Sequence, residues 1–341
     1  PDRTVHTGLL EYKNVYRPAR VISYDKESGE LMLHNYMDFD NLKDYVKISY
    51  ELTQDGLLIG KGKLAEVSVV PHGEGKTNLQ VNVPENGKCY LKLTYHLKKE
   101  MPLLEEDYIL GFDEIEVSQK DAKCQLAEKW FEKTVTDSEL QVSEDDTQIH
   151  IKGREFAYTI DRRTALFTEM KFAGREYLNH PMELNIWRAP TDNDMYIKSE
   201  WKKAHYDKAY TRAYTTEVVQ GKHGVKITSH ASVVAETVQK ILDVTITWKI
   251  EAAGKIDADI AVTKDDEFPD LPRFGVRMFL DKKLSAARYF GMGPQESYCD
   301  KHQAASHGLY HANVDDLHED YIRPQENGSH YDCEYVELNN S

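Results

Sequence analysis

Cysteine is scarce. The chain has four, Cys89, Cys124, Cys299 and Cys333. None lies near another, so no Cys-x-x-Cys zinc or redox motif can form. A disulfide framework is not the organising device of a chain this long and this poor in cysteine, and the four read as ordinary buried thiols. No apolar run approaches the ~20 residues that a membrane-spanning helix needs, and no leader with a charged start and an apolar middle opens the chain. It starts at Pro1 rather than Met and reads as an excised piece. Basic residues are outnumbered, 43 against 58 acidic, for a net charge of −15. With no basic stripe, nucleic acid and anionic membranes are excluded as partners, because both are held by Lys and Arg.

Several kinds of chemistry also lack their residues. Gly73-Glu-Gly-Lys-Thr77 resembles the end of a phosphate loop, but Val70 stands where the first glycine belongs, so the stretch reads as a hairpin turn. No Gly-x-Ser-x-Gly elbow occurs. Five histidines crowd residues 302–330, and His307 and His311 have the i, i+4 spacing of a zinc-binding helix. Gly308 replaces the glutamate such a motif needs, so they read as surface histidines on a loop-rich stretch. Asp192-Asn193-Asp194 is too compact for a calcium loop, which alternates its ligands. By itself it reads as a turn held by Asx side chains.

Strands are plentiful. Arg20–Tyr24, Val46–Leu52, Leu79–Val83, Leu91–Leu97 and Glu114–Val117 alternate apolar and polar residues with period two. About seven such strands before residue 119 predict an immunoglobulin- or fibronectin-like sandwich. The polar run 119–123 reads as a linker. Further strands are predicted at Gln148–Lys152, Phe156–Ile160, Val225–Thr228, Ile241–Ile250 and Lys255–Thr263, with a turn at Arg162–Thr164 and a short helix near Ser199–Asp207. The fold class is all-β: a sandwich over residues 1–119, then a large antiparallel sandwich over 120–341. The 21 tyrosines and 4 tryptophans suit sugar stacking and β-sheet cores equally.

Three stretches carry a resemblance. Trp187-Arg-Ala-Pro-Thr-Asp-Asn-Asp194, Gly291-Met-Gly-Pro-Gln-Glu-Ser-Tyr-Cys-Asp300 and Tyr321-Ile-Arg-Pro-Gln-Glu-Asn-Gly328 resemble, in order and rough spacing, three segments of the large five-domain bacterial β-galactosidases of glycoside hydrolase family 2. Glu11–Pro18 resembles the run that leaves the family's catalytic barrel. The resemblance implies that residues 1–119 are a fourth domain. Residues 120–341 would be a fifth, mutarotase-like domain that in relatives continues by several strands. It assigns Arg188, Asp192, Asn193 and Asp194 to a loop bordering the active site. Trp187, Pro190, Gly291, Gly293, Pro294, Glu296, Tyr298, Asp300, Pro324, Glu326, Asn327 and Gly328 become structural motif residues. Met195-Tyr196 stands where the family usually has Ile-Gly.

A retaining glycosidase needs two carboxyl groups about 5–5.5 Å apart. The family carries them on a (β/α)₈ barrel, which takes about 250 residues of alternating strand and helix, and its Asn-Glu acid/base dipeptide occurs nowhere here. The expectation is a non-catalytic part of an enzyme that hydrolyses terminal β-galactosides such as lactose, in a bacterial cytoplasm or periplasm. It would have no catalytic or metal site of its own, the family's Mg and Na ions being held mainly by the barrel. Its partners would be the galactoside, the catalytic domains and further copies in a homo-oligomer. A free carbohydrate-binding module using Arg188, Asp192 and Asn193 is the alternative. An epimerase using Glu296 and His302 is a third reading, by fold analogy alone. An exposed sheet edge in the second domain predicts self-association.

Overall fold

The computed structural model describes residues 3–119 and 140–340. Residue contacts divide them into two compact units. The first takes the residues up to 119 with Ser285–Asp320 and the residues from Glu326 on; the second takes residue 140 to Leu284 with Tyr321–Gln325. By packing, 285–320 and 326–340 therefore group with the N-terminal strands, not with the strands just before them. Cys124 and the expected linker beyond Gln119 fall outside the described residues.

The first unit opens with a helix, Thr7–Val15, where the sequence had suggested no helix. Seven strands follow: β1 (Ala19–Tyr24), β2 (Glu30–Asn35), β3 (Val46–Gln54), β4 (Leu57–Lys63), β5 (Glu74–Asn78), β6 (Lys88–Leu97) and β7 (Ile109–Gln119). They form one sheet in the order β1-β2-β5 and another in the order β4-β3-β6-β7. Period-two alternation sends Leu31 and Leu33 of β2, and Leu91, Leu93 and Tyr95 of β6, into a common core, all fully buried. Burying each such leucine stabilises by roughly 1.5–3 kcal/mol. Buried Asn35 ties a loop to this core. Its amide donates to the Asp40 and Val69 carbonyls at 2.9 and 3.0 Å, and its oxygen accepts from Met37 N–H. Two expectations shift here. The Glu74–Asn78 stretch is itself an edge strand on β2 rather than a hairpin turn. Leu79–Val83 has no ladder partner, although Leu79, Val81 and Val83 pack on the core.

In the second unit, β8 (Gln141–Glu144), β9 (Gln148–Lys152), β10 (Phe156–Asp161), β11 (Leu166–Phe172) and β12 (Arg175–Glu176) form a five-stranded antiparallel sheet. The turn between β10 and β11 falls at residues 162–165, as its sequence predicts. β13 (Leu178–Asn185) pairs with β18 (Gly275–Leu280). Between them come a short helix at Lys198–Lys203 and a four-stranded sheet of β14 (Tyr210–Gln220), β15 (Gly224–Val234), β16 (Leu242–Glu251) and β17 (Ile256–Lys264). One core joins these sheets. At its centre Trp248 stacks edge-on against Phe167 at 4.9 Å and donates its indole N–H to the Ala165 carbonyl at 2.8 Å, so a buried donor is satisfied.

The last sheet, β20-β19-β21, is built from β19 (Ala286–Gly293), β20 (Ser306–Asn313) and β21 (Tyr335–Asn339) and belongs to the first unit. The Asp55-Gly56 turn of the β3–β4 hairpin abuts it: a Cβ on Gly56 would lie 2.7 Å from Leu309 N and 2.9 Å from the Phe290 ring. Lys92 of β6 donates to Ser306 Oγ at 2.9 Å. The cysteines differ from expectation. Cys89 is buried, but Cys299 and Cys333 are exposed, because both lie in polar connections around β19 rather than on core-facing strand positions.

Candidate functional site

β13 ends at Asn185, whose side chain turns the backbone: its amide donates to the Trp187 carbonyl at 2.8 Å and its oxygen accepts from Trp187 N–H. Trp187 then packs edge-on against buried Trp201 at 6.3 Å, and the Arg188 guanidinium lies over the Trp201 ring at 5.5 Å. Both terminal Arg188 nitrogens donate to Asp194, Nη2 to Oδ1 at 3.0 Å and Nη1 to Oδ2. Asp194 Oδ2 also accepts Thr191 N–H at 2.7 Å and Thr191 Oγ1 at 2.9 Å, closing a capping box over a 3-10 turn at Asp192–Asp194. Burial opposes the Asp194 charge, but Arg188 and the Thr191 donors outweigh it and hold the carboxyl below its ordinary range. Asp194 is thus a fixed anion rather than a proton carrier.

Asp192 faces outward. Its N–H donates to the Pro324 carbonyl at 2.8 Å, and its carboxylate accepts from Arg323 Nη1 at 3.0 Å. Asn193, Met195 and Tyr196 are exposed, Tyr196 by 83%. The first motif and the Arg323-Pro324 half of the third therefore meet in the second unit.

The other half of the third motif meets the second motif in the first unit. Glu296, 6% exposed, pairs with Lys301 Nζ and accepts Gly328 N–H at 2.8 Å. Gly328 has φ +70, a backbone that favours glycine. Gly291 and Gly293 leave no room for a Cβ, which would sit 2.8 Å from Cys333 Cα and 2.5 Å from Tyr289 Oη respectively. Pro294 follows a cis peptide bond. Tyr298 and Lys301 close a bridge with Asp300 exposed between them. Asn327 brackets Glu319 with two hydrogen bonds, of 2.5 and 3.0 Å. Pro190 and Glu326 are half-buried. The Glu296–His302 pair is not set up for acid/base work: Glu296 is committed to Lys301 and Gly328, and His302 Nδ1 lies 3.1 Å from the Tyr298 carbonyl.

One cluster escaped the sequence reading. His307 and His311 lie on strand β20, not on a helix, so they stand about 13 Å apart along it. His307 is not a surface residue: its side chain is 8% exposed. It contacts Glu114 at 2.6 Å through Nδ1 and Asp332 at 2.9 Å through Nε2. The Glu114–His307 pair walls a cavity of about 320 Å³ that is also lined by Asn14, Arg17, Tyr90 and Phe112. Glu114 and His307 are 193 positions apart, and no local pattern signals such a pair. Among the described residues no group of three or more His, Cys, Asp or Glu side chains is placed to hold a metal ion.

Comparison with known proteins assigns both parts of this chain. Residues 31–118 match the family model described as β-galactosidase, domain 4. Residues 152–341, more than half of the chain, match the model described as β-galactosidase small chain. The chain belongs to the β-galactosidase family. The β-galactosidase of Actinobacillus pleuropneumoniae is 40% identical over 342 residues, covering 100% of this chain and 33% of the relative. That of Staphylococcus xylosus is 28% identical over 99% of this chain and 33% of its own length, and that of Lactobacillus delbrueckii subsp. bulgaricus 28% over 99% and 32%. The chain thus spans about a third of the curated β-galactosidases it matches. No helix among the described residues is long and apolar enough to cross a membrane.

Proposed function

We propose that this chain is a non-catalytic part of a β-galactosidase that hydrolyses terminal β-galactosides such as lactose. In this reading it borders the active site and supports assembly with the catalytic domains, in a homo-oligomer. The observation that carries the proposal is the Arg188–Asp194 turn. Its carboxylate is locked by four hydrogen bonds while Asp192, Asn193 and Tyr196 stand in solvent at its edge. A locked anion cannot exchange protons with a glycosidic oxygen, whereas a rigid polar rim can position a sugar and exclude water. In the first unit, two of the carboxylates that line the cavity are committed as well, Asp113 to Arg17 and Glu114 to His307.

The test is an o-nitrophenyl galactoside assay. The purified chain alone should give no turnover above a mock preparation. Mixed with the remaining two thirds of a relative such as the Actinobacillus enzyme, it should restore turnover that the larger piece lacks. Turnover by the chain alone would overturn the proposal. The exposed Asp192–Asn193 edge also favours a second reading, weak binding of free galactosides. Calorimetry with galactose and lactose decides it, and absence of heat at millimolar sugar removes it.

A further inference from the structure

We propose that Glu114, His307 and Asp332 form a pH-sensitive latch, which fastens the segment before β21 to strands β7 and β20 only while both nitrogens of His307 carry protons. The geometry requires this. A neutral imidazole has one N–H, and only the cation can donate from both nitrogens. Here each ring nitrogen faces a carboxylate, Glu114 Oε1 at 2.6 Å and Asp332 Oδ2 at 2.9 Å. Glu114 also accepts the His307 backbone N–H at 2.9 Å, and the ring is stacked on Tyr90 at 4.0 Å and 4°. Loss of one proton sets a nitrogen lone pair against a carboxylate. The Glu114 side chain is 11% exposed and held from two directions; Asp332 is 48% exposed. The contact to Asp332 is therefore the one that yields, and the adjoining cavity gives water room to solvate the ring.

The surrounding charges leave this logic intact. On β6, Lys88 is paired with Glu334 and also attracts Asp332 whatever the charge of His307, so it sets a constant background to the His307 contact, and Lys92 donates to Ser306. On β7, Glu116 is exposed and Asp113 is paired with Arg17. Tyr310 of β20 donates to the Ser306 carbonyl, His302 contacts the Tyr298 carbonyl, and Glu51 of β3 acts on Lys92 and Tyr310. Cys333 and Glu334 follow Asp332 on the segment itself. Burial by itself would discharge His307, but Glu114 and Asp332 outweigh it and raise its pKa above the ordinary value. A raised folded-state pKa gives stabilisation that is complete below the unfolded value of about 6.5 and is lost as pH rises through the folded one.

The test uses the full chain, with histidine-ring NMR and amide hydrogen exchange. The Tyr331 and Glu334 amides, which donate to Ser297 Oγ and the Phe290 carbonyl, report on the segment. His307 should titrate above about 6.5. Protection of the two amides, corrected for intrinsic exchange, should fall as pH rises through that titration. The fall should be about tenfold for each pH unit by which the His307 midpoint exceeds about 6.5. Asp332→Asn should lower the His307 midpoint and flatten the fall; Asn tolerates the left-handed backbone at this position, φ +48. His307→Gln should also flatten it. A His307 midpoint at or below about 6.5, or a fall in protection that both variants share with the parent chain, overturns the latch.

Discussion

Arg188 and Asp194 face each other with side chains each about 11% exposed, and neither charge is well solvated without the other. Replacing Asp194 with Asn leaves a nearly buried guanidinium beside a neutral amide. Removing one partner of a buried pair costs roughly 3–5 kcal/mol, and the residual exposure here places the expected loss at the lower end of that range. The pH dependence carries a definite sign. The Asp194 pKa is depressed in the fold, so its stabilisation is present above the unfolded value of about 3.9 and lost as pH falls through the folded one. Urea unfolding should therefore separate Asp194→Asn from the parent chain at neutral pH, and the gap should close in acid. An equal gap at both pH values would show that Asp194 acts through shape rather than charge.

Among the elements, turns give the sharpest contrast. Asp55-Gly56 joins β3 and β4 with both residues left-handed, φ +48 and +80, the geometry that two-residue hairpins favour and that an Asp-Gly pair signals. Gly174 is also left-handed, φ +76, but nothing lies within 4 Å of where its Cβ would be, whereas Gly56 faces Leu309 backbone at 2.7 Å. Gly174→Ala should cost only the backbone strain, roughly 1–2 kcal/mol. Gly56→Ala should cost clearly more, because backbone must move. Calorimetric melts of the two variants check this, and equal losses would mean that β20 does not press on the hairpin.

Most strands were legible because their alternation is the buried pattern itself, as at Gln148–Lys152. The helix Thr7–Val15 was not, because it turns its apolar side outward. Leu9 and Tyr12 are 55% and 59% exposed, while Thr7 and Asn14 are buried, so hydrophobic periodicity points to the wrong face. Leu79–Val83 misled in the opposite way, alternating to fill a core without joining a ladder. The motifs at 187–194, 291–300 and 321–328 could be read as family signatures. That the third divides, with Pro324 meeting Asp192 and Gly328 meeting Glu296, follows only from the fold, as does the clamp on His307.

At the scale of the whole molecule, two opposing influences govern association. A net charge of −15 holds copies apart through a repulsion that salt screens within about 10 Å at moderate ionic strength. Against it stands the β13–β18 ribbon. β18 has a paired neighbour, β13, on one side only among the described residues, and Phe274, Val276 and Met278 at this strand are 40–43% exposed. An unpaired edge carrying apolar side chains invites pairing with another strand, and a lysine on such an edge suppresses it. Self-association should therefore be weak at low salt and grow as salt is added, which is the reverse of what an ion-pair interface would do. Met278→Lys should abolish the growth without altering the melting of either unit, since the side chain is partly in solvent already. Light scattering across a salt series decides the matter: a clean monomer at high concentration and high salt would remove the β18 edge as a contact surface, and association that weakens with salt would assign it to charged residues instead.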